Sequence, residues 1–317
     1  MDDMALLHHW TTSTSRTIVG LSGADYWWQE AFPRVAFGHP FLMHGILSLA
    51  ALHLAHTHVG DDRKRYMADA ARRQNLALPG FGQAIANMSE ANSDAIFACA
   101  SVNIAYVFGM YGDLYDSGNV GSSHSARNAR VLGAEWIPMI RGIDAVLKPI
   151  YEHTRLGPLS PLLNLENWGE LDPDSEEPDD TDRQMCKLRT IWDDGPDGEL
   201  YDQTLYIMRK CYLYMRQFTR TVETAVEPAF YNRTWSGPMM WLVFLPEDFL
   251  IRLRQRQPAA LVLFAYLGVM LHTVDNLWIF RGWGTNIVDV VDGILGDYFR
   301  PWMEWPKEAV GFTSRES

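Results

Sequence analysis

The stretch Phe41–Ala55 is apolar around most of a helical circumference, interrupted only by His44, Gly45, Ser48 and His53. A surface helix shows one apolar stripe, whereas a helix that is apolar all round has to be covered on several sides. The run falls short of the roughly 20 residues needed to cross a bilayer, so it predicts a buried central helix, with Pro40 suited to its first turn. Leu261–Leu271 is a second run of the same kind. Alternation of period two is almost absent elsewhere, which makes the expected fold all-α: a multi-helix domain with little or no sheet.

The supply of apolar residues fits that expectation. Of 317 residues, 47% are hydrophobic and 12% aromatic, enough for one large core. A net charge of −12 opposes sequence-independent attachment to phosphates, so no direct nucleic-acid contact by this chain is expected. Cys99, Cys186 and Cys211 are widely spaced in helical patterns and read as small apolar core positions of an intracellular, reducing compartment. No transmembrane segment and no secretory signal is read.

Along the chain, helices are expected over residues 4–19, with Gly20 as a stop, and near Asp25. Further helices are expected over 41–55 and 61–78, the latter ended or kinked by Pro79–Gly80, with Tyr66, Ala70 and Leu76 inward and Arg63, Lys64, Asp69, Arg72 and Arg73 on a charged face. One capped by Ser93 and Asp94 runs to Tyr111. A Gly/Ser-rich loop follows, then an interrupted helix over 126–155. Four prolines and a cluster of carboxylates mark 156–182 as an acidic loop or linker. The expected organisation is thus an N-terminal helical half (1–155), this linker, and a C-terminal half (183–317) of the same domain. In the second half, helices are expected over 182–192, 198–226, 246–255, 258–280 and 285–299.

Several spaced segments resemble one family. Leu6-Leu-His-His-Trp-Thr-Thr-Ser-Thr14, the run Pro33–Ala55 and the helix Tyr66–Phe81 carry the resemblance in the first half. Leu245–Phe249, Gln257–Leu261, Gly282-Trp-Gly284 and Trp302–Pro306 follow in order in the second. The chain is similar over nearly its whole length to the C-terminal regulatory domain of fungal zinc-cluster transcription factors of the sterol uptake control type. The resemblance implies a helical domain with an internal hydrophobic pocket for a sterol-like ligand, a homodimer, and action in the nucleus or cytoplasm. A zinc-cluster factor also carries six closely spaced cysteines and a basic linker, neither of which is in this sequence, so the chain reads as the regulatory part alone.

Other constellations read as structure. His53, His56 and His58 suggest a metal site, but no Asp, Glu or Cys completes a ligand set, and core histidines are commoner; no metal and no cofactor is expected. Asp172, Asp174, Glu176, Glu177, Asp179 and Asp180 alternate with Pro173 and Pro178 and read as a solvated loop rather than a magnesium–diphosphate site; Asp193–Asp194 reads likewise. Ser122, Ser123 and His124 lack the strand–turn–helix setting of a nucleophile.

The segment Leu277–Gly284 stands out, because a very apolar helix meets a Gly-Trp-Gly turn. From the residues alone a helix cap with aromatic packing and a flat wall for a rigid ligand are equal readings. The resemblance favours the second, with Trp278, Phe280 and Trp283 as the wall, Gly282 and Gly284 as its gate and Arg281 as the polar contact. On that reading Gly284→Asp weakens binding before it harms folding. The functions compatible with this are a ligand-sensing regulatory module, a stand-alone paralogue catalysing a cyclisation or isomerisation in secondary metabolism, and a dimerising modulator of full-length factors.

Overall fold

The computed structural model describes residues 3–18, 26–112, 124–133, 135–163, 165–193, 195–219 and 235–312. Among these residues the regular elements are helical and no strand occurs, as the periodicity predicts. The α-helices of the first half are α1 (Asp3–His9), α2 (Ser15–Ile18), α3 (Phe32–Ala36), α4 (Pro40–Thr57), α5 (Gly60–Ala86), α6 (Glu90–Tyr111), α7 (His124–Val131) and α8 (Trp136–Thr154). Those of the second are α9 (Ser160–Leu163), α10 (Asp180–Cys186), α11 (Gly198–Thr219), α12 (Ser236–Phe244), α13 (Glu247–Arg254), α14 (Pro258–His272), α15 (Trp283–Leu295) and α16 (Arg300–Ala309).

Helix α4 is the buried axis that its composition demands. Leu42, Ile46, Leu49, Ala50, Ala51, Leu52 and Ala55 have no solvent exposure, and the helix packs against α1, α3, α5 and α6. Ser48 fits in this interior because its hydroxyl donates to the Ala70 carbonyl at 2.8 Å. Helix α14, equally apolar, packs on α11, α12, α13, α15 and α16. Helix α6 is long and apolar enough to cross a bilayer, yet most of its apolar window is buried in the protein. The buried side chains from Leu6 to Val310 form one cluster that includes residues on both sides of 156–182.

Several expectations need correction. Helix α5 runs through Pro79 to Ala86. The proline therefore does not end the helix, and just beyond it Gly80 lets α5 approach α4, since a Cβ there would stand 2.9 Å from that of Phe41. Tyr66 and Ala70 are buried, but Leu76 is 51% exposed and Ala77 takes the inward place, since Leu76 lies about 100° off the stripe. Arg73, placed on the charged face by the sequence pattern, is buried and pairs with Asp69 at 3.3 Å and Asp3 at 2.7 Å. Helix α6 starts at Glu90, capped reciprocally by Ser89 and Asn92. Helix α8 continues through Pro149. Helix α14 stops at His272, eight residues short of the expected end, and 273–282 are turns; α12 and α16 were not foreseen. Gly20, Asp25, Ser122, Ser123 and Asp194 lie outside the described residues.

The acidic segment is anchored. Arg209 of α11, buried, donates to Asp182 Oδ1 at 2.8 Å and Oδ2 at 3.0 Å, to the Pro173 carbonyl at 2.8 Å, and to Asp174. One and two turns later, Tyr212 and Arg216 donate to Asp179 Oδ2 at 2.9 and 3.0 Å. Asp174, Glu176, Glu177 and Asp180 remain exposed, while Asp172 and Asp179 are half-buried. A buried guanidinium needs such partners, which is why this loop folds back on α11.

Candidate functional site

The ten residues between α14 and α15 form a compact series of turns closed by the Gly282 amide, which donates to Asp275 Oδ1 at 2.6 Å. Gly282 caps α15 in the left-handed region at φ 78°, where a side chain would be strained. The turns let consecutive aromatic residues leave the backbone toward one wall, as a continuous helix could not.

That wall is α4 and α6. Trp278 stacks on His53 with centroids 5.0 Å apart and meets His56 edge-on at 4.7 Å. Phe280 and Trp283 both pack on Phe108 at 5.0 Å, and Trp283 also meets Trp136 of α8 at 4.9 Å. Trp283 Nε1 donates to the Phe108 carbonyl at 2.9 Å. Trp278, Phe280 and Trp283 are thus brought together on α6, while Arg281 is exposed at the rim and Gly282 is half-buried.

Glycines set the close approaches. A Cβ on Gly109 would stand 2.8 Å from Trp278 Cζ3, and one on Gly284 would stand 2.5 Å from the Gly268 carbonyl oxygen and 2.7 Å from His272 Cβ. Gly284 therefore seats α15 directly on the backbone of α14. An open groove of about 620 Å³ lies elsewhere, lined by Pro40, Phe41, Gly80 and Gln83 with Ala84, Asn87 and Asn92.

Sequence reasoning missed the partners of Trp278. His53 Nδ1 lies 3.2 Å from His9 Nε2 and 3.1 Å from Thr14 Oγ1, and His56 Nε2 donates to the Gly109 carbonyl at 2.9 Å. Burial pushes the His53 imidazole down to about 4, with His9 and His56 adding to the effect. Burial likewise brings His56 to about 4, opposed by its bond to Gly109 and assisted by Arg63 and Arg281. Both rings are neutral at physiological pH and act as polar, hydrogen-bonded plates against the indole. The three-residue spacing of His53 and His56 was the available signal; it marks a shared face, not its occupant.

Comparison with known proteins bears on this arrangement. Residues 5–110 match the family described as fungal specific transcription factor domain. Sterol uptake control protein 2 of Candida albicans is 30% identical over 155 residues, covering 49% of this chain and 20% of that protein. Its namesake in Saccharomyces cerevisiae is 32% identical over 151 residues, covering 47% and 15%. The Zn(2)-C6 fungal-type transcription factor afumD of Aspergillus fumigatus is 24% identical over 267 residues, covering 82% and 65%. The chain therefore spans about a fifth or less of the two sterol uptake control proteins it matches. His9, His53, His56, Phe108 and Gly109 all fall inside the matched segment, whereas Trp278, Phe280 and Trp283 lie far beyond it. Residues 5–110 thus match the fungal specific transcription factor domain, and about half of the chain is similar to the two sterol uptake control proteins.

Proposed function

We propose that the chain is the ligand-responsive part of a transcription regulator, sensing a sterol-like or other hydrophobic metabolite at the wall formed by Trp278, Phe280 and Trp283, with Gly282 and Gly284 as its hinge and Arg281 at its rim. The observation that carries this reading is the seat of those three aromatic side chains on His53, His56 and Phe108 of the matched segment. A ligand that binds better with the wall displaced shifts the contact between residues 5–110 and the second half, and a ligand acts only through such a difference between states. The names of two relatives, both sterol uptake control proteins, suggest the sterol class. On this reading residues 1–155 and 183–317 are halves of one domain joined by 156–182, the chain works as a homodimer in the nucleus, and DNA is contacted by another module.

The test is a reporter assay with the chain fused to a heterologous DNA-binding module, run with sterol synthesis blocked and restored, beside titration of the purified chain with dehydroergosterol. Reporter output should follow sterol level and the titration should saturate. A reporter indifferent to sterol together with no saturable binding refutes the reading.

A further inference from the structure

Phe37, at the C-terminal end of α3, is 72% exposed. A single exposed ring is ordinary, but this one stands beside the open groove of about 620 Å³ between α4, α5 and the start of α6. Pro40, on the groove wall, is three positions after Phe37, so their Cα atoms are at most about 11 Å apart. The groove has an apolar floor because Gly80 brings α5 onto Phe41, whose ring in turn packs on Phe81 at 6.2 Å. Being so exposed, the Phe37 ring does not fill the groove of its own chain. Knob and hole belong to one patch and are displaced from each other.

Charge favours a second copy of the chain as the occupant. Each copy carries a net charge of −12, so two copies repel over most of their surface and can meet only where charge is absent or balanced. The residues lining the groove carry none. On the exposed face that bears Phe37, Glu30 and Arg34 neutralise each other at 3.8 Å. Glu90, beside the groove, lies at the first position of α6, where the helix N-terminus offsets a carboxylate. We propose that this face is the homodimer contact, with a two-fold axis between Phe37 and Pro40 that seats Phe37 of each copy in the groove of the other. A closed two-fold interface requires a self-complementary patch, and an adjacent knob and hole provide one. The proposal rests on the homodimer reading above and adds the surface. His53 lies twelve residues along α4 from Phe41, about 18 Å, so the contact leaves the aromatic wall free.

Sedimentation velocity of the full chain at concentrations up to about 100 μM should show a dimer. Phe37→Asp and Gln83→Glu, both at exposed positions that leave the core intact, each put a carboxylate into the contact. Each should weaken the dimer by about thirtyfold or more, as loss of a central anchor does. Tyr298→Asp, at a residue 79% exposed on another part of the surface, should leave it unchanged. A dimer that survives either of the first two substitutions, or that Tyr298→Asp dissolves equally, overturns the proposal and leaves the homodimer reading. A wild type that is monomeric throughout overturns both. Dehydroergosterol titrated into the same preparations tests the ligand reading separately, and its affinity should be the same in wild type, Phe37→Asp and Gln83→Glu. A loss of sterol affinity confined to Gln83→Glu gives the groove to a small ligand and overturns the proposal. Dimers that respond as expected without any sterol binding support the proposal and remove the ligand reading.

Discussion

Gly284→Ala adds one methyl group where the backbone of α14 already stands. The new Cβ would meet the Gly268 carbonyl oxygen at 2.5 Å, His272 Cβ at 2.7 Å and the His272 amide nitrogen at 2.9 Å. Two of these three atoms are backbone, so the contact is relieved only by moving α15 off α14, and with it Ile287, which packs toward Gly268. Overpacking in a filled core costs about 1–3 kcal/mol, and a clash with rigid backbone belongs at the upper end, about 3 kcal/mol. Gly293, on the same helix with nothing within 4 Å of its Cβ position, is the internal control. There Gly→Ala should raise stability by about 0.5–1 kcal/mol through helix propensity alone. Urea unfolding followed by circular dichroism measures both. A Gly284→Ala protein as stable as wild type, or as stable as Gly293→Ala, would falsify the close-contact argument. The same geometry revises the expectation for Gly284→Asp, which should lose its fold rather than selectively lose binding.

Three further outcomes are expected. His53 and His56 sit at about 4 against an ordinary value of 6.5, so the unfolded chain takes up protons first and stability falls as pH drops from 6.5 toward 4. Near pH 5 the loss is about 2 kcal/mol per histidine, and His56→Gln should flatten the urea midpoint between pH 7 and 5; an unchanged slope counts against the assignment. Arg209→Met leaves Asp182 buried without its cation, at about 3 kcal/mol or more, and should speed cleavage after Glu176 by a glutamate-specific protease; wild-type cleavage rates would mean that the loop is not held by Arg209. Finally, the chain at physiological salt should give no sequence-specific shift of duplex DNA in a mobility assay, given its net charge of −12; a complex that survives competitor DNA would contradict this.

The sequence made α4 and α14 legible as buried helices, because they are apolar all round and nothing but burial suits that pattern. It misjudged where α14 ends: the run Leu261–Leu271 is followed by the mostly polar His272–Asn276 before Leu277–Phe280, and helical periodicity was carried across a stretch that turns. Arg73 and Arg209 were invisible as core residues for the opposite reason. A charge at helical spacing reads as solvent-facing unless its partner is known; Asp69 is local to Arg73, but Asp3, Asp174 and Asp182 are remote in sequence. At the candidate site the string Leu277–Gly284 is conspicuous locally, while its seat on His53, His56, Phe108 and Trp136 is not. The Trp283–Phe108 bond links positions 175 residues apart, and no local pattern encodes such a pairing.

That bond also determines what a recognisable stretch of sequence can do by itself. Residues 5–110 are the portion that matches the fungal specific transcription factor domain, but Phe108 and Gly109 at its end are covered by Trp278, Phe280 and Trp283. Expressed as a fragment, the segment would present bare aromatic and glycine surface along α6 together with two uncovered imidazoles on α4, and would self-associate rather than fold as a monomer. Homology gives the boundary of a module here, and folding requires a different one: excision for biophysical work has to carry the chain through at least Trp283, or supply the three rings in trans.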